Sequence, residues 1–117
     1  MSFFNAGTAS VSIQQGDYAV PSFTITSGGS AIDILTDYDD IKCDIREGKS
    51  IESPLVKRVS LSDGITVTDT NTLNVDVTNN STKDRLYGAV KFQLTGSANW
   101  VTLLFIEIVI VKTTTEV

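Results

Sequence analysis

The sequence predicts an all-β fold, a β-sandwich of roughly seven to nine antiparallel strands. Apolar residues recur at spacing two, clusters of Gly, Asn, Asp and Ser separate them at short intervals, and almost no segment has helical periodicity. A closed barrel is the alternative architecture. With 117 residues, 41% hydrophobic and 20% charged, we expect one domain over residues 1–117. It would have a short N-terminal arm at about 1–9 and a frayed tail at about 113–117.

The first half of the chain contains three predicted strands. Pro21 within the second strand indicates a bulge or an edge position. The Gly-rich turn at residues 27–30 indicates a hairpin, and residues 32–35 are expected to form a short extended piece. The apolar residues that mark the three strands are Val11 and Ile13, then Val20, Phe23 and Ile25, and then Ile41, Cys43 and Ile45.

The second half contains the remaining strands. Asp63-Gly64 is a hairpin signal, and residues 79–86 form the one plausible helical turn, with Asn or Ser as its cap. The polar loop at residues 95–99 should join the last two strands into a hairpin. The apolar residues that mark the strands before the last one are Leu55, Val59 and Leu61; Ile65 and Val67; Leu73, Val75 and Val77; and Gly88, Val90, Phe92 and Leu94.

The stretch Trp100–Val111 is the most apolar part of the chain. It is shorter than the about 20 residues of a membrane-spanning helix, and its β-branched and aromatic residues predict a long strand. Strict alternation places Val101, Leu103, Phe105 and Glu107 on one face with Val109 and Val111. The opposite face is apolar too, so both faces should be covered. The domain core covers one face, and a flanking loop or another copy of the protein covers the second.

Composition argues against several functions. The net charge is −5 and the nine Lys and Arg are scattered, which argues against binding of nucleic acid or an anionic membrane. Histidine is absent, no nucleophile or phosphate-loop motif is present, and no pair of carboxylates stands out among the 14 acids. We therefore expect no enzyme activity, no cofactor and no small-molecule substrate.

Two groups are best explained by structural roles. Cys43, the single cysteine, lies between apolar strand positions and should be a small buried group. Asp37, Asp39 and Asp40 form the densest acidic cluster, and we interpret it as a solvated turn. Calcium binding is the alternative for this cluster, but its spacing fits no EF-hand loop, and no metal site is predicted.

Five residues are candidates for subunit contacts. Glu107 lies either at an open spot of a partly exposed face or in an interface, paired with Lys or Arg. Trp100 either caps the edge of the core or anchors an interface. Phe3 and Phe4 are expected to dock on a neighbouring subunit or to fold back on the domain. Phe105 completes the set as an aromatic residue of the two-sided strand.

The order of these pieces resembles the immunoglobulin-like domains of tailed-phage virion proteins, the type found at the N-terminus of baseplate upper proteins. The resemblance covers nearly the whole chain. It rests on a QGD turn, an FxI strand, an IDL-like segment, a strand ending in Arg, a Gly-initiated strand and a long apolar last strand. These correspond to Gln15-Gly16-Asp17, Phe23-Thr24-Ile25, Ala31–Thr36, Ile41–Arg46, Gly88–Phe92 and Trp100–Thr115.

The resemblance implies an immunoglobulin-like sandwich that serves as a non-enzymatic virion module for assembly, docking or decoration. Homo-oligomers and contacts with other virion proteins are then expected. No signal peptide is visible, so synthesis in the host cytoplasm is expected. One alternative is a module that binds carbohydrate or a host surface, with Tyr18, Tyr38 and Tyr87 as candidates. Another is a bacterial surface or pilus-like subunit, which the lack of a visible signal peptide disfavours.

Overall fold

A computed structural model describes residues 7–27, 30–79 and 81–111, and over them the protein is all-β, as predicted. These residues form ten strands and one short helix, against the seven to nine strands expected. The elements are β1 (Gly7–Gln14), β2 (Ser22–Thr24), β3 (Thr26–Ser27), β4 (Ser30–Ala31), α1 (Ile34–Asp37), β5 (Tyr38–Arg46), β6 (Leu55–Leu61), β7 (Gly64–Thr68), β8 (Thr72–Val75), β9 (Arg85–Leu94) and β10 (Trp100–Val111).

Eight strands form one sheet in the order β1-β10-β9-β5-β6-β7-β8-β2, and β3 pairs with β4 in a separate hairpin. The predicted hairpin of the last two strands is confirmed, because β9 and β10 pair antiparallel. The expectation of antiparallel pairing throughout is wrong at two places. The first strand pairs parallel with the last, and β6 pairs parallel with β7.

The pairing of β6 with β7 also overturns the hairpin expected at Asp63-Gly64. These strands share only two residue pairs, Ser60 with Gly64 and Leu61 with Ile65. Gly64 has φ 102° and Ser62 has φ 68°, so the chain turns a sharp corner there. The corner divides the sheet into a half with β1-β10-β9-β5-β6 and a half with β7-β8-β2.

Both halves contribute to a single core, so the sheet must curl around it. Ile41, Phe92 and Ile108 of one half belong to the same buried cluster as Ile65 and Leu73 of the other. The described strands thus form one curled sheet, with this cluster on its inner side. Among the described residues, no polar or charged residue is buried in this core.

A lysine links the two halves at the edge of the core. Lys57, which interrupts the apolar pattern of β6, donates from Nζ to Asp76 Oδ1 at 3.1 Å and to the Thr78 carbonyl at 2.9 Å. Thr78 also holds the segment before β2, because its Oγ1 accepts the Ala19 N–H at 2.8 Å. Lys57 therefore interrupts the apolar pattern of β6 because its ammonium bonds to the segment that follows β8.

The helix lies where an extended piece was predicted. Asp33 caps α1 because its side chain accepts the Thr36 N–H at 3.3 Å, and Ile34 is fully buried. The helical turn expected at 79–86 is wrong: Ser81–Asp84 is irregular and β9 begins at Arg85. The Asp84 carbonyl accepts the Ile110 N–H at 2.8 Å, which joins the end of this segment to β10.

A β-bulge changes the two faces of β10. The register with β9 shifts between Thr102 and Leu104, which leaves Leu103 as the extra residue. Val101 and Leu103 consequently pack against the core, so their predicted place on the face of Phe105 is wrong. Thr102, opposite Lys91, lies on the outer side instead.

The predicted arm is described only in part, and the predicted tail lies outside the described residues. β1 begins at Gly7, so the chain is already a strand before residue 9. Phe3, Phe4 and residues 113–117 lie outside the described residues. Within the part of the chain that the structure describes, no helix is long and apolar enough to cross a membrane.

Candidate functional site

The candidate site lies on the outer face, which we define as the side of the β1-β10-β9-β5 sheet opposite the core. Phe105 is central to it and is 48% exposed. In register, Phe105 lies between Thr8 of β1 and Ala89 of β9. Two small neighbours leave the sides of the ring uncovered. Val109 and Val111 follow on the same face of β10, and Val111 is 41% exposed.

Glu107 occupies the next row of the outer face. It lies between Ser10 of β1 and Tyr87 of β9. Its Oε2 is 3.8 Å from Arg85 Nη1, and the two side chains are 36% and 58% exposed, respectively. The partner is thus a residue of its own chain, and an exposed pair at this distance contributes little stability. Both ions are accessible for a further contact.

These rows border an open groove of about 650 Å³. Aromatic surface comes from Tyr87 and Phe105, and a carboxylate comes from Glu107. The loop after β5 supplies a cation, since the Nζ of Lys49 lies 5.5 Å from the centroid of the Tyr87 ring. The groove therefore combines flat apolar surface with both signs of charge. Its other lining residues are Thr8, Ala9, Ser10, Gly48, Gly88, Ala89 and Ile106.

Trp100 also belongs to the outer face. It pairs in register with Gln93 and is not part of the core cluster, which excludes the interpretation that it caps the core edge. Lys42 Nζ lies 4.3 Å from the centroid of its ring. This cation–π contact fixes the ring against β5 and leaves it partly accessible.

Charged side chains of β5 and β6 border the face on the other side. Arg58 donates to Asp44 from Nε at 2.6 Å and from Nη2 at 3.1 Å, and Arg46 lies 3.5 Å from the same carboxylate. The hydrogen bond from Arg58 lowers the pKa of Asp44, with a smaller electrostatic contribution from Arg46. Asp44 is in consequence a fixed anion held by two guanidinium groups.

The acidic cluster is not the solvated turn that was expected, because Asp39 and Asp40 already belong to β5. Asp39 Oδ2 accepts the Gly96 N–H at 3.0 Å, and Asp40 Oδ1 accepts the Ile41 N–H at 2.8 Å. Asp37 ends α1. Over the described residues, no group of three or more His, Cys, Asp or Glu could hold a metal ion.

Cys43 and Tyr38 belong to the core. Cys43 is fully buried, as predicted, and burial raises the pKa of its thiol to about 12, with a smaller effect of Asp44. Tyr38 is 7% exposed and its ring lies 5.0 Å from that of Phe92, so its candidacy for surface binding is wrong. Tyr18 is 82% exposed, and of the three tyrosines only Tyr87 lines the groove.

The structure brings three of the predicted contact residues, Trp100, Phe105 and Glu107, onto one face. The sequence analysis missed Thr8, Ser10 and Lys49. The hydroxyl residues of β1 alternate with apolar ones, which indicated an exposed face but not which strand lies beside it. No sequence signal placed the loop of Lys49 over Tyr87.

No protein-family model matches the chain, and no curated protein matches it.

Proposed function

We propose that this protein is a non-enzymatic structural module of a tailed-phage virion, which docks on other virion subunits through the outer face. The observation that carries the proposal is the half-exposed Phe105 ring on the outer face of β10, the longest strand of the described residues. Burial of such a ring against a partner contributes about 25 cal/mol per Å² of apolar area before the costs of association.

The composition of the outer face supports docking of a protein. Phe105 and Tyr87 provide its aromatic surface, Glu107 lies directly beside them, and Arg58 lies at its border. Aromatic residues and arginine are enriched in protein interfaces. Trp100 adds a second aromatic anchor, and Phe3 and Phe4 are proposed to add contacts from the N-terminal arm.

The fold that accompanies this proposal is an immunoglobulin-like sandwich. The order β10-β9-β5-β6 corresponds to strands G-F-C-C′ of such a domain, and β7-β8-β2 corresponds to D-E-B. A long connection places β2 beside β8, as in a Greek key. The strand order and the common core support this assignment, together with the resemblance of the motifs from Gln15 to Thr115.

The test compares particles that carry two variants of the protein. Phe105→Ser removes the central ring, and Tyr18→Ser removes an exposed ring outside the outer face, as a matched control. In a phage lacking the wild-type gene, we expect Tyr18→Ser to be incorporated into particles and Phe105→Ser to be lost from them, with both variants folded by circular dichroism. Equal incorporation, or absence of the wild-type protein from purified particles, would contradict the proposal.

The groove supports a second candidate function, binding of carbohydrate. Tyr87 and Phe105 offer flat apolar surfaces, while Glu107, Lys49 and Ser10 offer hydrogen-bonding groups beside them. A glycan array with wild-type protein tests this function. A signal that Phe105→Ser removes and Tyr18→Ser retains would favour the carbohydrate site over protein docking.

A further inference from the structure

We infer that the exposed edge of β1 is a self-association site, at which a second copy of this chain adds its own β1 in antiparallel orientation. The inference goes beyond the proposed docking function, because it adds a contact between copies of this chain. It uses the edge of the sheet, which is distinct from the outer face.

The hydrogen-bond pattern shows which backbone groups of β1 point to that edge. Gln15 N–H donates to the Val111 carbonyl at 2.9 Å. In a parallel pair, alternate residues of a strand bond to its neighbour, so the odd-numbered residues of β1 bond to β10. The N–H and C=O groups of Thr8, Ser10 and Ser12 therefore point away from β10. Gln14 is also even-numbered, but its carbonyl already accepts the Asp17 N–H at 3.1 Å.

This edge lacks the features that normally prevent strand addition. β1 has eight residues, Gly-Thr-Ala-Ser-Val-Ser-Ile-Gln, with no charge and no proline, and its register with β10 has no bulge. Exposed edges are normally blocked by charged residues, proline, bulges or short length. The other edge of the same sheet follows that rule, because β2 has three residues and Pro21 precedes it.

The β1 strand is complementary to itself about Ser10. The three residues with both backbone groups available, Thr8, Ser10 and Ser12, are centred on Ser10, which puts Ser10 opposite its copy and Thr8 opposite Ser12. On the outer face every pair is then a pair of hydroxyl residues. On the core side, Ala9 faces Val11 of the copy and Gly7 faces Ile13, so each smaller residue meets a larger one. Such self-complementarity favours a second copy over a different partner.

Electrostatic repulsion between the copies is small at this edge. Each copy has a net charge of −5, but none of it lies on β1. The nearest outer-face acid, Glu107, lies one strand away from Ser10. Its copy would be three strand spacings distant, about 14 Å, which exceeds the screening length of about 8 Å at physiological salt. Edge pairing alone buries less area than a standard interface, so the dimer should dissociate on dilution.

The test is the mass of the full chain by sedimentation over a dilution series. Ser10→Pro removes an edge N–H without removing a bond to β10. Thr24→Pro is the matched control on β2. The odd-numbered residues of β2 and its flanks bond to β8, because the Pro21 carbonyl accepts the Val75 N–H and the Ile25 N–H donates to the Asn71 carbonyl. The N–H of Thr24, an even-numbered residue, therefore points away from β8 to the edge of the sheet.

We expect wild type and Thr24→Pro to show twice the 12.6 kDa chain mass at high concentration and the single mass after dilution. Ser10→Pro should remain at 12.6 kDa throughout. Hydrogen exchange gives an independent measure, since the amides of Thr8, Ser10 and Ser12 should be protected in concentrated wild-type protein and lose that protection on dilution. A wild type that stays monomeric, or a Ser10→Pro variant that dimerises, overturns the inference.

Phe105→Ser separates this inference from the proposed docking function. It leaves the edge of β1 intact and should dimerise like wild type while being lost from particles. Loss of the dimer in Phe105→Ser would place self-association on the outer face and overturn the edge inference. Incorporation of Phe105→Ser into particles would contradict the docking function alone.

Discussion

The ammonium of Lys42 lies 4.3 Å from the centroid of the Trp100 ring, so a cation from β5 covers the first residue of β10 across the intervening strand β9. The contact follows from the bulge at Leu103, which keeps Trp100 on the outer face with Lys42 and Lys91. It holds an aromatic residue in place at the border of the proposed docking surface.

Removal of this contact should lower stability measurably. Lys42→Gln is expected to reduce the free energy of unfolding by about 0.5–1 kcal/mol, the size of an exposed cation–π contact. Urea unfolding followed by Trp100 fluorescence measures the change. Lys91→Gln is the control, because Lys91 faces Lys42 in register and its loss removes a like charge. If Lys91→Gln lost as much stability as Lys42→Gln, the contact between Lys42 and the Trp100 ring could not be the cause.

Gly64 should tolerate substitution less well than Gly96. Its φ is 102°, and an added Cβ would lie 2.5 Å from Val59 Cγ1. Gly64→Ala is expected to cost at least about 2 kcal/mol, from backbone strain plus overpacking. Gly96 has φ 72° with nothing within 4 Å, so Gly96→Ala should cost about 1 kcal/mol from strain alone. Thermal unfolding compares the two, and equal losses would argue against a steric contribution at the corner.

The ion pairs of Asp44 should make stability depend on pH. Arg58 lowers the pKa of Asp44, so this carboxylate stabilises the fold above its unfolded pKa, and the contribution is lost as pH falls through its folded pKa. Asp44→Asn should be less stable than wild type by about 0.5–1 kcal/mol at neutral pH. The difference should disappear in acid.

Urea unfolding across the acidic pH range measures this effect. Asp17→Asn, in the exposed turn after β1, controls for the general loss of one negative charge. A difference between Asp44→Asn and wild type that persists unchanged in acid would show that it arises from something other than ionisation of Asp44.

Cys43 should resist thiol reagents in the folded protein. Its side chain is fully buried and its pKa is raised to about 12. Near neutral pH the thiol is therefore neither accessible to a reagent nor ionised to the reactive thiolate. Labelling with a chromogenic disulfide should proceed only at the rate of unfolding, and protein in urea should label at once. Rapid labelling of the native protein would show that the core opens around β5.

Part of the candidate site could be predicted from local pattern. Phe105 and Glu107 are two residues apart, so any strand places them on one face, and the structure confirms it. Lys49 and Ser10 could not be assigned to that site. They lie far from β10 in sequence, and only the register of β1 and the position of the loop after β5 bring them to Tyr87 and Glu107.

Four features follow from local sequence pattern: the all-β class, the alternating faces of β5 and β9, the hairpin of the last two strands and the burial of Cys43. Each depends on side-chain period and turn residues within a short segment. Three other features depend on contacts between distant segments: β1 pairs parallel with β10, the chain turns a corner at Gly64, and the bulge at Leu103 moves Val101 to the core. Pairing and register between distant segments depend on hydrogen bonds and packing across the whole sheet, which no local pattern contains.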